Sequence, residues 1–146
     1  ITNGRLIHPP AVKDGLERMA QLTGEVWLKF DRALSAERQR INNSPISLKK
    51  IRHHLQIVTS LCPTWLQTCL FQINGEPPGE LKTEAYLKFI QSLKDEGLPL
   101  KGVLLYGIAR PSLQPEAYQL TPVSESWLTA HGEKIKALGL AVKVNP

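Results

Sequence analysis

The chain has 146 residues, of which 42% are hydrophobic and 21% charged, and its formal net charge is +5. This balance is typical of one folded globular domain and excludes collagen-like, low-complexity and disordered chains. The sequence contains no stretch of about 20 apolar residues that could cross a membrane, and its first residues lack the pattern of a signal peptide.

The N-terminal part of the chain predicts a strand end, a helix, a strand and a short second helix. Ile1–Gly4 is typical of the last residues of a strand followed by a turn, and Pro9–Pro10 begins a helix that ends near Gly24. Residues 25–31 predict a strand, and residues 32–41 predict a weak helix. Because the chain begins within an element and lacks an initiator Met, we expect it to be a fragment or processed product of a longer protein.

Three more helices alternate with strands in the remainder of the chain. Each helix carries apolar side chains at helical spacing, and the joints contain Gly or Pro, which end helices. The predicted elements are a helix capped by Ser47 and ended by Pro63, a strand over 65–72, a helix over 81–93 stopped by Gly97, a strand over 102–109, a helix opened by Thr121 and Pro122 and closed by Gly139, and a strand over 140–144.

Strands and helices that alternate in this way predict an α/β fold with a parallel sheet. The sheet belongs either to an open doubly wound fold or to part of a (β/α) barrel. In both architectures, ligands bind beyond the carboxyl ends of the strands. Functional side chains are therefore expected at that edge of the sheet.

Polar side chains collect at this edge. Lys29 and Asp31 are two residues apart and share one face of a strand, where they form either a structural ion pair or a ligand contact. Of Gln67 and Thr68, whichever faces inward needs a hydrogen-bond partner. Arg110 is either a loop arginine bonded to backbone or a carboxylate- or phosphate-binding residue. The polar residues expected at this edge are Thr2, Asn3, Lys29, Asp31, Gln67, Gln72, Asn74, Glu76, Tyr106 and Arg110.

The spacing of the cysteines and histidines predicts neither a disulfide nor a metal site. Cys62 and Cys69 are seven positions apart, which suits neither a disulfide framework nor a zinc motif and favours a reducing, cytoplasmic location. His53 and His54 are adjacent and point about 100° apart on a helix, so we expect both at the surface. The other two histidines have no acidic or thiol neighbours at ligand spacing.

The densest basic run is Lys49–His54. Its helical pattern favours a solvated helix face over an anion or nucleic-acid patch, and no aromatic residues interleave with it to stack on bases. We therefore expect no nucleic-acid partner. The sequence also contains no P-loop, dinucleotide fingerprint, metalloprotease motif or serine-hydrolase motif.

Six segments follow one another in a distinctive order over nearly the whole chain: Thr2–Gly4, Trp27–Ala33, Arg40–Asn42, Trp65–Cys69, Asn74–Pro78 and Tyr106–Pro111. This series resembles the later part of a radical S-adenosylmethionine (SAM) domain. The order and spacing of the segments are more specific than any single segment.

The resemblance implies that residues 1–146 form the later part of a (β/α)6 barrel with parallel strands. The family's Cys-x3-Cys-x2-Cys loop, which holds a [4Fe-4S] cluster, and its Gly-Gly-Glu segment are absent from this sequence, and we expect them upstream. The complete enzyme would use SAM and the cluster to form a 5′-deoxyadenosyl radical that abstracts hydrogen from a substrate not identified by the sequence. We expect this chain alone to bind no cofactor tightly, to hold no metal, and to be inactive without the cluster-binding segment.

The resemblance assigns five residues to cofactor binding. Thr2 and Asn3 match the third-strand motif that lies near SAM. Lys29 takes the fourth-strand position where many members place a polar residue against the ribose, with Asp31 two residues further on. Gln67 matches an inward position of the fifth strand that approaches the methionine carboxylate or the ribose.

Substrate contacts are expected from Tyr106 and Arg110, which match the end of the sixth strand. Within an apolar strand, however, Tyr106 is also typical of core packing. The loops over 75–79 and 112–119 are expected to vary with the substrate. We also expect SAM as a small-molecule partner, and another chain or segment as the partner that completes the barrel.

Two alternatives remain open. The chain could be a non-catalytic half-barrel that binds or interacts with other molecules, because an open parallel edge invites pairing. It could also belong to an unrelated barrel enzyme, such as a phosphate-binding aldolase or isomerase, but no glycine-rich phosphate loop precedes the last helix.

Overall fold

The structure is a computed structural model that describes residues 1–110, 112–113 and 115–146. In this part of the chain, helices and strands alternate as the sequence predicts. The helices are α1 (Pro10–Gln21), α2 (Ser35–Asn42), α3 (Leu48–Leu61), α4 (Glu80–Asp95) and α5 (Glu125–Lys136), with a 3-10 helix over Pro115–Gln119. The strands are β1 (Val26–Lys29), β2 (Thr64–Cys69), β3 (Phe71–Ile73), β4 (Leu100–Tyr106), β5 (Leu120–Pro122) and β6 (Val142–Asn145).

A parallel sheet in the order β1-β2-β4-β6 organises the molecule. Thr2 adds a further position beside β1. Its N–H donates to the carbonyl of Trp27 at 2.9 Å, and its own carbonyl accepts from the N–H of Lys29 at 2.8 Å. The predicted α/β class with parallel strands is confirmed.

One face of this sheet packs against the helices and forms the core. Leu28, Leu66 and Leu105 of the sheet are almost fully buried and belong to one apolar cluster with Leu55 of α3 and Ile90 of α4. Burial of each such side chain contributes about 1.5–3 kcal/mol. The core therefore fixes the helices on one side of the strands.

The start of α3 and the end of α4 lie where their residue types predict. Ser47 Oγ accepts from the N–H of Lys50 at 3.3 Å, which satisfies one free amide of the first helical turn. Beyond Asp95, Gly97 has a φ of 73°, a left-handed conformation that glycine adopts without strain.

Alternate residues of the strands point to the opposite face of the sheet. Trp65 and Leu104 are buried on this face, 5% and 2% exposed, yet neither belongs to the helix-packed core. The rings of Trp27 and Tyr106 lie 6.3 Å apart although β2 separates their strands. Strands two positions apart are separated by about 10 Å in a flat sheet, so the side chains converge and the face is concave. This curvature is that of the inside of an incomplete barrel.

The strand predicted over 65–72 is divided in two. β2 ends at Cys69, and Phe71–Ile73 leaves the sheet to pair antiparallel with Leu120–Pro122. The apolar run continues through both strands, so its periodicity does not mark the point at which the chain changes partner. The prediction of a single strand is wrong for this reason.

The predicted start of the last helix is also wrong. Thr121 and Pro122 lie in β5, where proline is tolerated because a short edge strand needs no N–H from it. Ser124 is the N-cap of α5, since its Oγ accepts from the N–H of Trp127 at 3.2 Å. The helix thus begins at Glu125.

The loop predicted over 112–119 contains the 3-10 helix. Gln114 of this loop, and Pro111 of the segment that resembles the radical SAM domain, lie outside the described residues. None of the helices that the structure describes is long and apolar enough to cross a membrane.

Candidate functional site

The carboxyl edge of the sheet brings three of the predicted residues into neighbouring positions. Lys29 and Gln67 are register partners on β1 and β2. The carbonyl of Thr2 accepts from the N–H of Lys29 at 2.8 Å, so Thr2 lies on the other side of β1. Parallel pairing therefore places these residues side by side, although they are far apart in the sequence.

Tyr106 and Arg110 lie further along the same edge. Tyr106 is the register partner of Cys69, which is one side-chain repeat beyond Gln67 on the concave face. The half-buried Tyr106 ring contacts Trp27 and does not belong to the helix-packed core. Arg110 is exposed in a bend after β4. The sheet thus groups Tyr106 with Gln67 and leaves Arg110 at the surface.

Asp31 is 4% exposed and its carboxylate is held by the protein. Its Oδ1 accepts from the backbone N–H of Cys69 at 2.9 Å, and its Oδ2 accepts from Nδ2 of Asn42 at 2.6 Å. The ammonium of Lys29 lies 3.5 Å from Oδ2, and the Lys29 side chain is 44% exposed. Of the two alternatives for this pair, the ion pair is present, and Lys29 keeps access to solvent.

A cleft of about 290 Å³ opens at the end of β1. We call it the β1 cleft. Asn3, Lys29 and Asp31 line it, whereas Gln67 and Tyr106 do not. The candidate residues thus form two groups, one in the β1 cleft and one on the concave face, and Lys29 lies between them. The other lining residues are Arg5, Leu28, Phe30, Arg38, Ile41, Asn42, Ser44, Ile46, Ile51 and His54.

Thr68, rather than Gln67, is the residue of β2 that faces the core. Its hydroxyl donates to the carbonyl of Phe30 at 2.9 Å and lies 2.6 Å from the Tyr86 hydroxyl, which therefore donates to it. Burial raises the pKa of Tyr86, so this phenol stays protonated. Thr68, the polar residue that faces inward, is therefore hydrogen-bonded within the protein. Gln67 is half-buried on the other face, and its side chain makes no hydrogen bond to any described residue.

Arg32 is a buried cation with no predicted role. It is 4% exposed, and its Nη1 donates to the carbonyls of Asp31 at 2.8 Å and Cys69 at 3.1 Å. Its guanidinium lies 5.0 Å from the centre of the Phe71 ring. Burial lowers the pKa of Arg32, and the nearby Asp31 carboxylate opposes this shift. The position directly after Asp31, at the carboxyl end of β1, is the one sequence signal that could have identified it.

Arg38 of α2 is also buried, at 5% exposure. It donates to the carbonyl of Ala33 and, at 3.1 Å, to that of Ile46. Burial lowers the pKa of Arg38. Because it lines the β1 cleft while tying two loops together, Arg38 helps to fix the shape of that cleft.

His54 is 6% exposed, so the prediction that both adjacent histidines lie at the surface is wrong for this residue; His53 is exposed. Nε2 of His54 lies 3.2 Å from Nε2 of His8, and the His8 ring stacks on His53 at 5.8 Å. Burial lowers the pKa of His54, and the charges of His8, His53 and Lys50 lower it further. The pairing of the chain's start with α3 buries this imidazole, and helical spacing alone does not reveal it.

Both cysteines are structural in character. The Cys62 thiol lies 3.6 Å from the carbonyl of Gly24, and the Cys69 thiol lies 3.7 Å from that of Gly107. Burial raises the pKa of both thiols, which disfavours the thiolate that metals and clusters require. Within the described residues, no three His, Cys, Asp or Glu side chains are grouped so as to hold a metal ion.

No known family model and no curated protein matches this chain. Solved structures do. A radical SAM methyltransferase from Sphaerobacter thermophilus matches with a TM-score of 0.61 and 12% identity, over 90% of this chain and 37% of its own. A domain of pyruvate-formate lyase-activating enzyme from Bacteroides vulgatus ATCC 8482 matches with a TM-score of 0.61 and 17% identity, over 97% of this chain and 77% of its own.

A xylanase matches as well. An intracellular xylanase from Thermoanaerobacterium saccharolyticum has a TM-score of 0.55 and 17% identity, over 92% of this chain and 40% of its own. At such low identities the likeness concerns the fold. The chain spans 37% of the methyltransferase's length. It has an α/β fold with a parallel sheet that corresponds to part of a (β/α) barrel, and radical SAM enzymes are among the proteins that share it.

Proposed function

We propose that this chain is the later part of a radical SAM domain and that it orients SAM and a substrate in the complete enzyme. The observation that carries the proposal is the side-by-side position of Thr2, Lys29 and Gln67 at the carboxyl edge of the sheet. These three residues belong to the sequence segments that resemble the family. The similarity of the fold to two radical SAM proteins also supports the proposal.

The residues at this edge fit the polar groups of SAM. The Lys29 ammonium is 44% exposed and suits the methionine carboxylate or a ribose hydroxyl. The Gln67 amide offers both a donor and an acceptor and has no partner in the described part of the chain. In this proposal SAM supplies the reactive group when it is bound, and these side chains orient it.

Asp31 takes a different part from the one that the resemblance implies. Its two oxygens already accept hydrogen bonds from Cys69 and Asn42, and the residue is only 4% exposed, so the carboxylate offers the cofactor little access. We therefore propose that Asp31 positions the Lys29 ammonium. Asn3 lines the β1 cleft beside them, and Tyr106 and Arg110 are proposed to face the substrate.

The residues described here do not fit a [4Fe-4S] cluster. The thiols of Cys62 and Cys69 contact carbonyls on separate parts of the chain, and burial raises both pKa values. The proposal therefore assigns the cluster to another part of the complete enzyme.

The proposal can be tested by titrating the isotope-labelled full chain with SAM and following its backbone amides by NMR. We expect weak, saturable shifts at the ends of β1 and β2. Lys29→Ala should weaken binding about tenfold because it removes a charge-assisted hydrogen bond. Lys88→Ala is the matched control, since Lys88 is an exposed lysine of α4 paired with Glu84. Shifts confined to other parts of the chain would contradict the proposal.

A non-catalytic half-barrel that completes its sheet with another chain makes the opposite prediction for this titration. Its edge would respond to a partner chain and not to SAM.

A further inference from the structure

Arg32 has one hydrogen-bonded edge and one edge without a partner. Its Nη1 donates to the carbonyls of Asp31 and Cys69. Its Nε is buried and has no hydrogen-bond partner, and Nη2 makes no hydrogen bond to any described residue. The N–H groups of Nε and Nη2 are parallel, which is the arrangement that binds two oxygens of one carboxylate or phosphate.

The charge of Arg32 also lacks an ion-pair partner among the described carboxylates. The Asp31 carboxylate instead accepts hydrogen bonds from Cys69 and Asn42 and pairs with Lys29. A cation that is 4% exposed and has no carboxylate in direct contact is costly, because burial removes its hydration and the charges of Asp31 and Glu37 compensate only from a greater distance.

Arg32 lines a second cleft, of about 160 Å³, which we call the Arg32 cleft. It shares no residue with the β1 cleft. Arg40 and Lys82 add two cations to its lining, and Glu37 and Glu76 add two carboxylates. The lining thus carries three cations and two carboxylates, and Glu37 is paired with Lys82 at 3.0 Å. The other lining residues are Phe71, Ile73, Asn74, Pro77 and Pro78.

We propose that the Arg32 cleft binds the carboxylate or phosphate group of a small molecule through the Nε and Nη2 edge of Arg32. The Arg32 guanidinium lies over the Phe71 ring, with 5.0 Å from the guanidinium carbon to the ring centre, and this cation–π contact helps to hold it at the cleft. The cleft lies beyond the ends of β1 and β2, where ligands bind in this architecture. Because the two clefts are separate, this inference does not depend on SAM binding.

The Arg32 side chain reports on this site directly. Inorganic phosphate and acetate are added in separate titrations to the isotope-labelled full chain, and the Nε–H signal of Arg32 is followed by NMR. We expect a saturable shift with at least one anion and a rise in melting temperature with the same anion. A response to phosphate alone identifies a phosphoryl group as the ligand, and a response to acetate alone identifies a carboxylate.

Arg32→Lys keeps the positive charge but removes the two parallel N–H groups, so we expect it to weaken anion binding about tenfold. Arg18→Lys, at an exposed position of α1, is the matched control and should bind as the unchanged chain does. If Arg32→Lys does not fold, Arg40→Gln at the exposed rim should still weaken binding severalfold. An unmoved Arg32 signal with both anions, or equal affinity in Arg32→Lys, would overturn the inference.

Discussion

Asp31 illustrates how the fold retains a charged residue at the end of a buried strand. One oxygen accepts from the backbone of β2, the other accepts from Asn42 at the end of α2, and Lys29 lies 3.5 Å away. These contacts tie two strands and a helix together, and they hold Lys29 at the edge of the sheet. The sequence suggests that Asp31 binds a ligand, whereas in the structure its carboxylate binds neighbouring residues of the protein.

Asp31→Asn tests this role at the scale of one side chain. The variant loses the attraction to Lys29 and sets an N–H₂ group against a donor, either Asn42 or the Cys69 amide. We expect the free energy of unfolding to fall by about 1–3 kcal/mol in urea denaturation. Asp14→Asn, at an exposed position of α1, is the control and should change little. Equal stability of the two variants would contradict a positioning role.

At the scale of elements, α5 shows how two sequence signals compete for one helix start. Thr121–Pro122 and Ser124–Glu125 both have the pattern of a cap followed by a favourable first residue. The antiparallel pairing of β5 with β3 takes up the first pair, so the helix starts at the second. A contact between segments about 50 residues apart thus decides a local boundary.

Ser124→Ala should lower the free energy of unfolding by about 1 kcal/mol, because the Trp127 N–H loses its acceptor. Thr121→Ala removes only an exposed contact to Gln72 and should cost less. Thermal denaturation of the two variants compares the observed cap with the predicted one. A larger loss of unfolding free energy in Thr121→Ala than in Ser124→Ala would instead support the helix start predicted at Thr121.

The buried face of α5 also makes stability depend on pH. Burial, followed by the charges of Lys134 and Arg32, lowers the pKa of His131 to about 4 from its ordinary 6.5. Between these values the unfolded chain binds more protons than the folded chain, so stability falls as pH decreases from 6.5 towards 4. The loss attributable to this residue is on the order of 3 kcal/mol.

His131→Phe removes this titration and keeps an aromatic ring against Trp127, whose ring centre lies 5.3 Å from that of His131. Other groups titrate in both proteins. The free energy of unfolding is therefore measured for each protein at roughly pH 4.5 and roughly pH 7, and the difference between the two losses isolates His131. We expect the variant to lose less stability on acidification. An identical pH dependence would show that His131 is not the responsible group.

The whole molecule is a curved sheet with helices on one face and converging side chains on the other. In this sheet, β4 closely approaches the segment before β6, where the N–H of Val103 donates to the carbonyl of Ala141 at 2.8 Å. Gly102 has a φ of 144°, and a Cβ there would overlap the carbonyl oxygen of Ala141 and lie 2.9 Å from the Trp65 ring. Only glycine fits at this point without a shift of the surrounding backbone.

Gly102→Ala should therefore lower the free energy of unfolding by about 2–4 kcal/mol, since the backbone of two strands must shift. Gly15→Ala is the matched control. A Cβ at Gly15 meets open space within α1, so this change should stabilise the chain by about 0.5–1 kcal/mol. Chemical denaturation measures both, and a tolerated Gly102→Ala would contradict the close packing of β4.

Local sequence patterns were sufficient to predict the alternation of helices and strands, the parallel sheet and the cap at Ser47. These features follow from periodicity and from residue types a few positions apart. The sequence also identified Lys29 and Gln67 as polar residues at the ends of strands, and parallel pairing then made them neighbours. The burial of Arg32 and His54, in contrast, depends on contacts between distant segments. Their partners, Cys69 and His8, are 37 and 46 residues away, and no local pattern encodes contacts over such distances.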